Sequence, residues 1–408
     1  MESKDDTVLN MAKLLPRLFL LATTLAGCCP HNDTYTVIVS MDAFRWDYTE
    51  LLDTPGLDEI AKDGITCVME PSYPASTFPN HYTIATGLVP DHHGIINGSF
   101  YNPDTNMAFS MGDSLTRYNP EYYLGEPIWV TAEKAGIKTA CIYWVGSDVP
   151  VKNTLPTYYS PWYDNPHLNF EQRANEVVRL LSLPKNERPR LVMLYFDEPD
   201  ATSHRFGPLG DETRAVIAEL DSIVVNIYRQ IRALPYGNRI NIIVTSDHGM
   251  TEINDERFID SDEYLKPSWY EYTLGTNPTN IYAKKGCVDS IVNALSGVEH
   301  ISVWRHGEVP SKLNYGTSSR CGDVIVVPEI GWQFAKSPSN SIGAHGYPPE
   351  EKDMQVIFIA NGPDFKRGNL EKNFKFSNVD IYPMMAKILG ITPRKTDGKL
   401  KHTKHIRK

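Results

Sequence analysis

The sequence predicts an α/β fold with a mostly parallel central sheet covered by helices on both faces. Three observations carry that expectation. Apolar runs rich in β-branched residues recur from residue 35 to residue 362. They are continuous rather than alternating, as expected of strands buried on both faces. Amphipathic, helix-period segments separate them, which is the pattern of a sheet with crossover helices.

Taken in order, "YTVIVSMDAF" (35–44) reads as the first strand, followed by a short helical stretch to Asp63. "GITCVME" (64–70) is the second strand. The segment "SYPASTFPNHYTIATG" (72–87) then places Thr77 at the start of a helix that closes at Gly87. "IKTACIYWVG" (137–146) and "RLVMLYFDEPD" (190–200) are further strands, the second bounded by prolines 184, 189 and 199. In 212–234, Val216, Leu220, Ile223, Ile227, Ile231 and Leu234 recur at helical spacing, predicting a long amphipathic helix. "RINIIVTSDHGM" (239–250) and "EKDMQVIFIANG" (351–362) return to strand, and "VDIYPMMAKILG" (379–390) is a helix closed by Gly390. The expected organisation is one main domain over residues 30–400, with a smaller, looser subregion at 255–345 and a basic tail at 401–408. No repeat or linker interrupts it.

The 408 residues are 41% hydrophobic and 22% charged, with a net charge of −10. Such an acidic chain is a poor match for a protein that coats nucleic-acid polymers, which needs a basic face. Handling an anionic substrate then calls for a local source of positive charge, and bound metal ions are the obvious one. No 20-residue apolar run is present.

Residues 11–29, "MAKLLPRLFLLATTLAGCC", have the layout of a secretory signal: Lys13 and Arg17, an apolar core, then small residues. Residues 1–29 are accordingly set apart from the fold, with 1–10 as a candidate alternative start. The tetrad Leu25-Ala26-Gly27-Cys28 resembles a bacterial lipoprotein signal. Lipidation of Cys28 would anchor an exported chain to a bacterial membrane, on the periplasmic or outer surface. Cys67, Cys141, Cys287 and Cys321 allow three disulfide connectivities. Cys67 and Cys141 lie in strand-like contexts and read as buried free thiols.

Three strands end in acids: Asp42, the run Asp197 to Asp200, and Asp247 with His248. One such acid is commonly a cap or turn residue. Three at what should be one sheet edge, where α/β proteins place their chemistry, point to a site. Asp200 and His204 are four residues apart and share a face of a helical turn. His345, in "GAHGYPP", has Gly346 directly after it and Gly343 two residues before, and so room to approach a ligand. Carboxylates and imidazoles without cysteine suit Zn²⁺ with an open position, and admit other first-row ions. His81, one turn after Thr77, reads as a packing residue, with a supporting role at the site as the alternative. His31, His167, His300, His306, His402 and His405 read as solvated, and His92 and His93 are left open.

With Asp42, Thr77, Asp200, His204, Asp247, His248 and His345 in that order, the chain resembles the nucleotide pyrophosphatase/phosphodiesterase family. This is the type I phosphodiesterase branch of the alkaline phosphatase superfamily. "STFPNHYTIATGLVPDHHGII", "GEPIWVTAEKAG", "GSDV", "EPDATSHRFGP", "SDHGM" and "AHGY" carry the likeness across most of residues 35–395. The resemblance implies an alkaline-phosphatase-like three-layer α/β/α sandwich, two Zn²⁺ and a threonine nucleophile, Thr77. It assigns Asp42, Asp247, His248 and the Thr77 oxygen to one ion, and Asp200, His204 and His345 to the other. It sets Phe78 and Tyr163 on either side of a nucleoside base. The implied activity is hydrolysis of nucleotide phosphodiester or pyrophosphate bonds through a threonyl-nucleotide, releasing nucleoside 5′-monophosphates.

Two positions depart from the family pattern. Ser203 stands where the family usually has glycine. Gly98 aligns with an asparagine that donates to a phosphate oxygen, and Asn97, one residue earlier, is the candidate replacement. The same site acting on phosphomonoesters or lipid head-group diesters is the nearest alternative. A phosphosugar mutase and a catalytically weak binding homologue are more distant ones.

Overall fold

The computed structural model describes residues 34–163, 167–369 and 374–408. The signal-like segment and Cys28 lie outside them. Its central feature is a nine-stranded sheet among the described residues. The strands are β1 (Tyr35–Asp42), β2 (Ile65–Glu70), β3 (Thr139–Ile142), β4 (Tyr158–Ser160), β5 (Leu191–Pro199), β6 (Ile240–Thr245), β7 (Val356–Asn361), β8 (Gly368–Asn369) and β9 (Lys375–Ser377). Across the sheet the order is β8, β2, β7, β6, β1, β5, β3, β4, with β9 also paired to β2. Every pairing is parallel except those of β7, which runs antiparallel to both β2 and β6. The continuous apolar runs follow from burial on both faces: all eight residues of β1 and all six of β6 and β7 are buried.

Two helical layers cover the sheet. On one side α1 (Pro55–Lys62), α4 (Phe170–Leu181) and α6 (Asp211–Ala233) pack together, and on the other lie α2 (Thr77–Thr86), α3 (Ile128–Lys134) and α7 (Ile381–Leu389). The short α5 (Asp200–Phe206) leads from β5 toward α6. In α6 the predicted stripe is real: Leu220, Ile223, Ile227 and Ile231 are buried. Buried Asp221 on the same helix accepts the Gly56 and Leu57 N–H groups at 2.8 and 2.7 Å, tying the first turn of α1 to α6.

Residues 255–345 contain a small second sheet, while Val309, Leu313, Tyr315, Cys321, Ile325 and Val327 of the same range join the main core. Four antiparallel strands, Tyr270–Leu274, Thr279–Ala283, Val324–Pro328 and Ile301–Arg305, pair in that order. Helix Val288–Leu295 packs against them, and Ile281, Ile291, Leu295, Val324 and Val326 form a separate apolar cluster. Residues 401–408 dock back on the body through buried Thr403 and Ile406, the latter's carbonyl accepting Lys366 N–H at 2.9 Å. Cys67, Cys141, Cys287 and Cys321 are all unpaired thiols. Among the described residues no helix is long and apolar enough to cross a membrane.

Candidate active site

Strand order builds the site. β6, β1 and β5 are adjacent and parallel, so their carboxyl ends lie side by side. Asp42 ends β1, Asp200 begins α5 directly after β5, and Asp247-His248 follow β6 after Ser246. Thr77 is the first residue of α2, preceded by extended Ser76 and closed by Gly87 in the left-handed region at φ 67°.

The predicted ligands converge as two triads. Asp42, Asp247 and His248 each point one ligand-type atom into a common space within 4.8 Å, and so do Asp200, His204 and His345. His248 Nε2 lies 3.1 Å from Thr77 Oγ1, 3.2 Å from Asp42 Oδ1 and 3.3 Å from Asp247 Oδ2. His204 and His345 bring Nε2 to 3.5 and 3.6 Å from Asp200 Oδ1. The triads share a wall, because the His345 ring stacks on His248 at 3.9 Å and sits 5.1 Å from His204.

The hydrogen bonds around these side chains settle which atoms face inward. Nδ1 of His248, His204 and His345 meets the carbonyls of Gly249, Gly343 and Ala75 at 2.8, 2.8 and 3.1 Å. A carbonyl only accepts, so each Nδ1 carries the proton and each Nε2 presents its lone pair to the carboxylates. Carbonyl-anchored imidazoles of this kind are the usual outer support of a metal site. Asp42 Oδ2 accepts a short hydrogen bond from the buried Tyr195 hydroxyl, and Asp247 Oδ1 accepts Ser246 Oγ at 3.1 Å and Ala43 N–H at 3.3 Å. The remaining oxygens, Asp42 Oδ1, Asp200 Oδ1 and Asp247 Oδ2, are buried with no hydrogen-bond partner.

Lone pairs facing orphaned carboxylate oxygens repel unless a proton or a metal cation lies between them. Titration follows the same physics. Burial, then the charges of Asp247 and Asp200, push the Asp42 carboxyl well above the usual range. Burial likewise raises Asp200 against the pull of His204 and His248. For Asp247 burial acts upward, but the adjacent His248 and His81 imidazoles outweigh it, holding the group below the ordinary range. Burial and then His248 and His204 press His345 well down, which keeps it in the neutral, ligating form. Both triads therefore fit a divalent cation in charge, donor type and orientation.

Close backbone contacts hold the frame. A Cβ on Gly249 would lie 1.9 Å from the Asp353 carbonyl oxygen, so only glycine fits where His248 Nδ1 finds its acceptor. Gly249→Ala should cost about 1–3 kcal/mol or more, read as a lower chemical-denaturation midpoint.

The predicted substrate contacts are Phe78, Tyr163 and Asn97. Phe78 is almost buried and packs 6.4 Å from Phe109. Tyr163 is half exposed, with the Arg117 guanidinium 3.6 Å above one face of its ring. The structure commits much of Asn97 elsewhere: its Nδ2 donates to the Pro278 carbonyl at 3.2 Å and its Oδ1 accepts Gly98 N–H at 2.7 Å. Ser203 is fully buried beside His204.

Two supporting residues, Tyr195 and Asn80, had no clear signal in the sequence, and a third, His81, read first as packing with a supporting role as the alternative. Tyr195 lies inside an apolar strand and reads as core. Asn80 is fully buried, accepts Ser72 N–H at 2.7 Å and donates to the Pro74 and Ser76 carbonyls at 2.8 and 3.0 Å, clamping the turn before Thr77. His81 is fully buried against Asp247.

The family profile described as type I phosphodiesterase/nucleotide pyrophosphatase matches residues 36–348. A Xenopus laevis bis(5′-adenosyl)-triphosphatase is 33% identical over 401 residues, covering 95% of this chain and 86% of the relative. Human ectonucleotide pyrophosphatase/phosphodiesterase family member 5 is 32% identical over 393 residues, covering 93% and 81%. The solved murine ectonucleotide pyrophosphatase/phosphodiesterase 5, an inactive threonine-to-alanine variant in complex with AMP, superposes with a TM-score of 0.86. That match has 29% identity and covers 92% of this chain and 100% of the murine one.

Proposed function

The chain belongs to the type I phosphodiesterase/nucleotide pyrophosphatase family and is a phosphodiester hydrolase with its metallo-phosphodiesterase fold, and from that premise we propose a zinc-dependent nucleotide pyrophosphatase/phosphodiesterase with Thr77 as nucleophile. One observation carries the reading: Thr77 Oγ1 stands 3.1 Å from the inward nitrogen of His248, at the mouth of two convergent ligand triads. Asp42, Asp247 and His248 would hold one Zn²⁺ beside the Thr77 oxygen, and Asp200, His204 and His345 the other. Two such ions, when bound, supply Lewis-acid stabilisation of the entering and leaving oxygens and favour ionisation of a hydroxyl.

Thr77 Oγ attacks the α-phosphorus in line. The hydroxyl proton passes to solvent, a new O–P bond forms, and the bond to the leaving oxygen breaks to release pyrophosphate or an alcohol, giving a threonyl-nucleotide. Water then cleaves that ester, freeing Thr77 and a nucleoside 5′-monophosphate. The first N–H groups of α2 have no partner within the helix, and its dipole favours negative charge on the phosphoryl oxygens. The AMP complex of the murine neighbour supports a nucleotide as substrate. Arg117 occupies one face of Tyr163, leaving base stacking to the opposite face, with Phe78 as the second apolar contact.

A diester is favoured over a monoester because the candidate extra cation is committed elsewhere. Arg45 donates to Asp47 at 2.9 and 2.8 Å and to the Met250 carbonyl at 3.0 Å, and it pairs with Asp353 at 3.0 Å. Turnover of nitrophenyl phosphate, its thymidylyl diester and its phosphocholine ester tests the choice. The thymidylyl diester should lead, and a leading monoester or choline ester would replace the nucleotide reading.

The position of Gly98 gives a second test. An oxyanion donor is typically worth about 10²–10³ in turnover. A Cβ at Gly98 would meet only the flexible Met111 side chain, with Sδ at 3.2 Å. Gly98→Asn should therefore raise kcat on the thymidylyl diester by at least about tenfold. An unchanged or lower kcat would mean that another group already fills the role.

A further inference from the structure

His81 is fully enclosed and touches three of the elements that build the site. It sits on α2 one turn after Thr77, so the two residues share a helix face. Its Nδ1 lies 3.0 Å from the Thr77 carbonyl oxygen and 3.2 Å from Asp247 Oδ2, both acceptors, so Nδ1 carries a proton. Its Nε2 meets Ser40 Oγ at 2.9 Å, and Ser40 shares a face of β1 with Asp42. Edge contacts to Tyr195 at 4.5 Å and Trp144 at 5.1 Å fix the ring plane, and Trp144 Nε1 donates to the His81 carbonyl at 3.2 Å.

We infer that His81 is a positioning residue that sets the separation between the nucleophile turn and Asp247, and so shapes the first cation site. The inference rests on the two-zinc reading above. A side chain that only filled space between Trp144 and Tyr195 would need no polar atom. Here both ring nitrogens meet polar partners, one of them a side chain of the first triad. The Nδ1 proton is bonded to the Thr77 carbonyl, and the same nitrogen lies 3.2 Å from Asp247 Oδ2, close enough to attract that oxygen electrostatically. Because the same nitrogen is tied to the Thr77 carbonyl of its own helix, the ring moves with the nucleophile turn, and a shift of α2 relative to β6 breaks its contact to Asp247.

The test is zinc affinity, site by site, in competition with a graded chelator, alongside kcat, KM and thermal unfolding. His81→Leu should weaken one of the two zinc ions by about 10–100-fold and leave the other unchanged. Its kcat should fall while KM stays within about twofold, the pattern expected when the cost lies in the transition state rather than in substrate binding. His81→Asn places an amide N–H near the Nδ1 position and should recover most of the affinity.

Two tightly held ions in His81→Leu, or equal weakness in the Leu and Asn variants, would overturn the assignment in favour of packing. If His81→Leu does not fold, Ser40→Ala carries the test. Loss of the Nε2 partner frees the ring to tilt and should weaken the same ion by about 2–10-fold, and wild-type affinity there would overturn the assignment. Wild-type protein that takes up no zinc would instead remove the two-zinc reading, and this inference with it.

Discussion

Thr77→Ala should abolish turnover of a nitrophenyl nucleotide diester, lowering kcat by at least about 10⁴-fold, while the protein still folds and binds AMP. Thr77 contributes its hydroxyl and little packing, being half-buried at the first position of α2. The turn that presents it is held independently by Asn80, whose three contacts to residues 72–76 do not involve the hydroxyl. Both triads keep all their side chains in this variant. The loss should therefore appear as kcat, with AMP affinity and zinc content near wild type. Wild-type enzyme quenched during turnover should carry a nucleotide mass increment on the peptide containing Thr77, and the variant none. Undiminished turnover in Thr77→Ala would rule out this nucleophile.

Removal of the metal should have an effect of similar size, with stability falling as well. The Asp42, Asp200 and Asp247 oxygens that face the site have no hydrogen-bond partner, and the Asp42 and Asp200 carboxyls are raised by burial, with neighbouring carboxylates adding to it. An ion bound there is a ligand of the folded state alone, so its withdrawal both exposes the carboxylates to one another and removes binding free energy. A strong chelator should reduce turnover by at least about 10³-fold and lower Tm. Zinc add-back should restore both. Activity that survives complete metal removal would refute the roles given to Asp42 and its partners.

Much of this site was legible because its ligands sit at places that sequence marks. Asp42 and Asp247 follow apolar runs that place them at strand ends, whereas Asp200 stood in an acidic run from Asp197 and was marked by its spacing to His204. His345 was marked by the glycines near it, and Gly346 does adopt the left-handed region at φ 94°. What periodicity could not give was adjacency. Only the strand order β6, β1, β5 makes the three acids neighbours, and the antiparallel insertion of β7 beside β6 left no trace in its apolar run.

The supporting residues were hidden for a different reason. Tyr195 and His81 sit in segments that look like ordinary core, and their roles depend on which polar atom lies across a long-range contact. Asn97 shows the converse. Its type and position suited a phosphate donor, but the local chain turns its amide toward Pro278 and its oxygen toward Gly98 N–H.

Anomalous diffraction at the zinc edge, from crystals grown with zinc, tests the central claim most directly. Two peaks are predicted, one enclosed by Asp42, Asp247 and His248 beside the Thr77 oxygen and one by Asp200, His204 and His345. A single peak, none, or peaks bound to other residues would contradict the account.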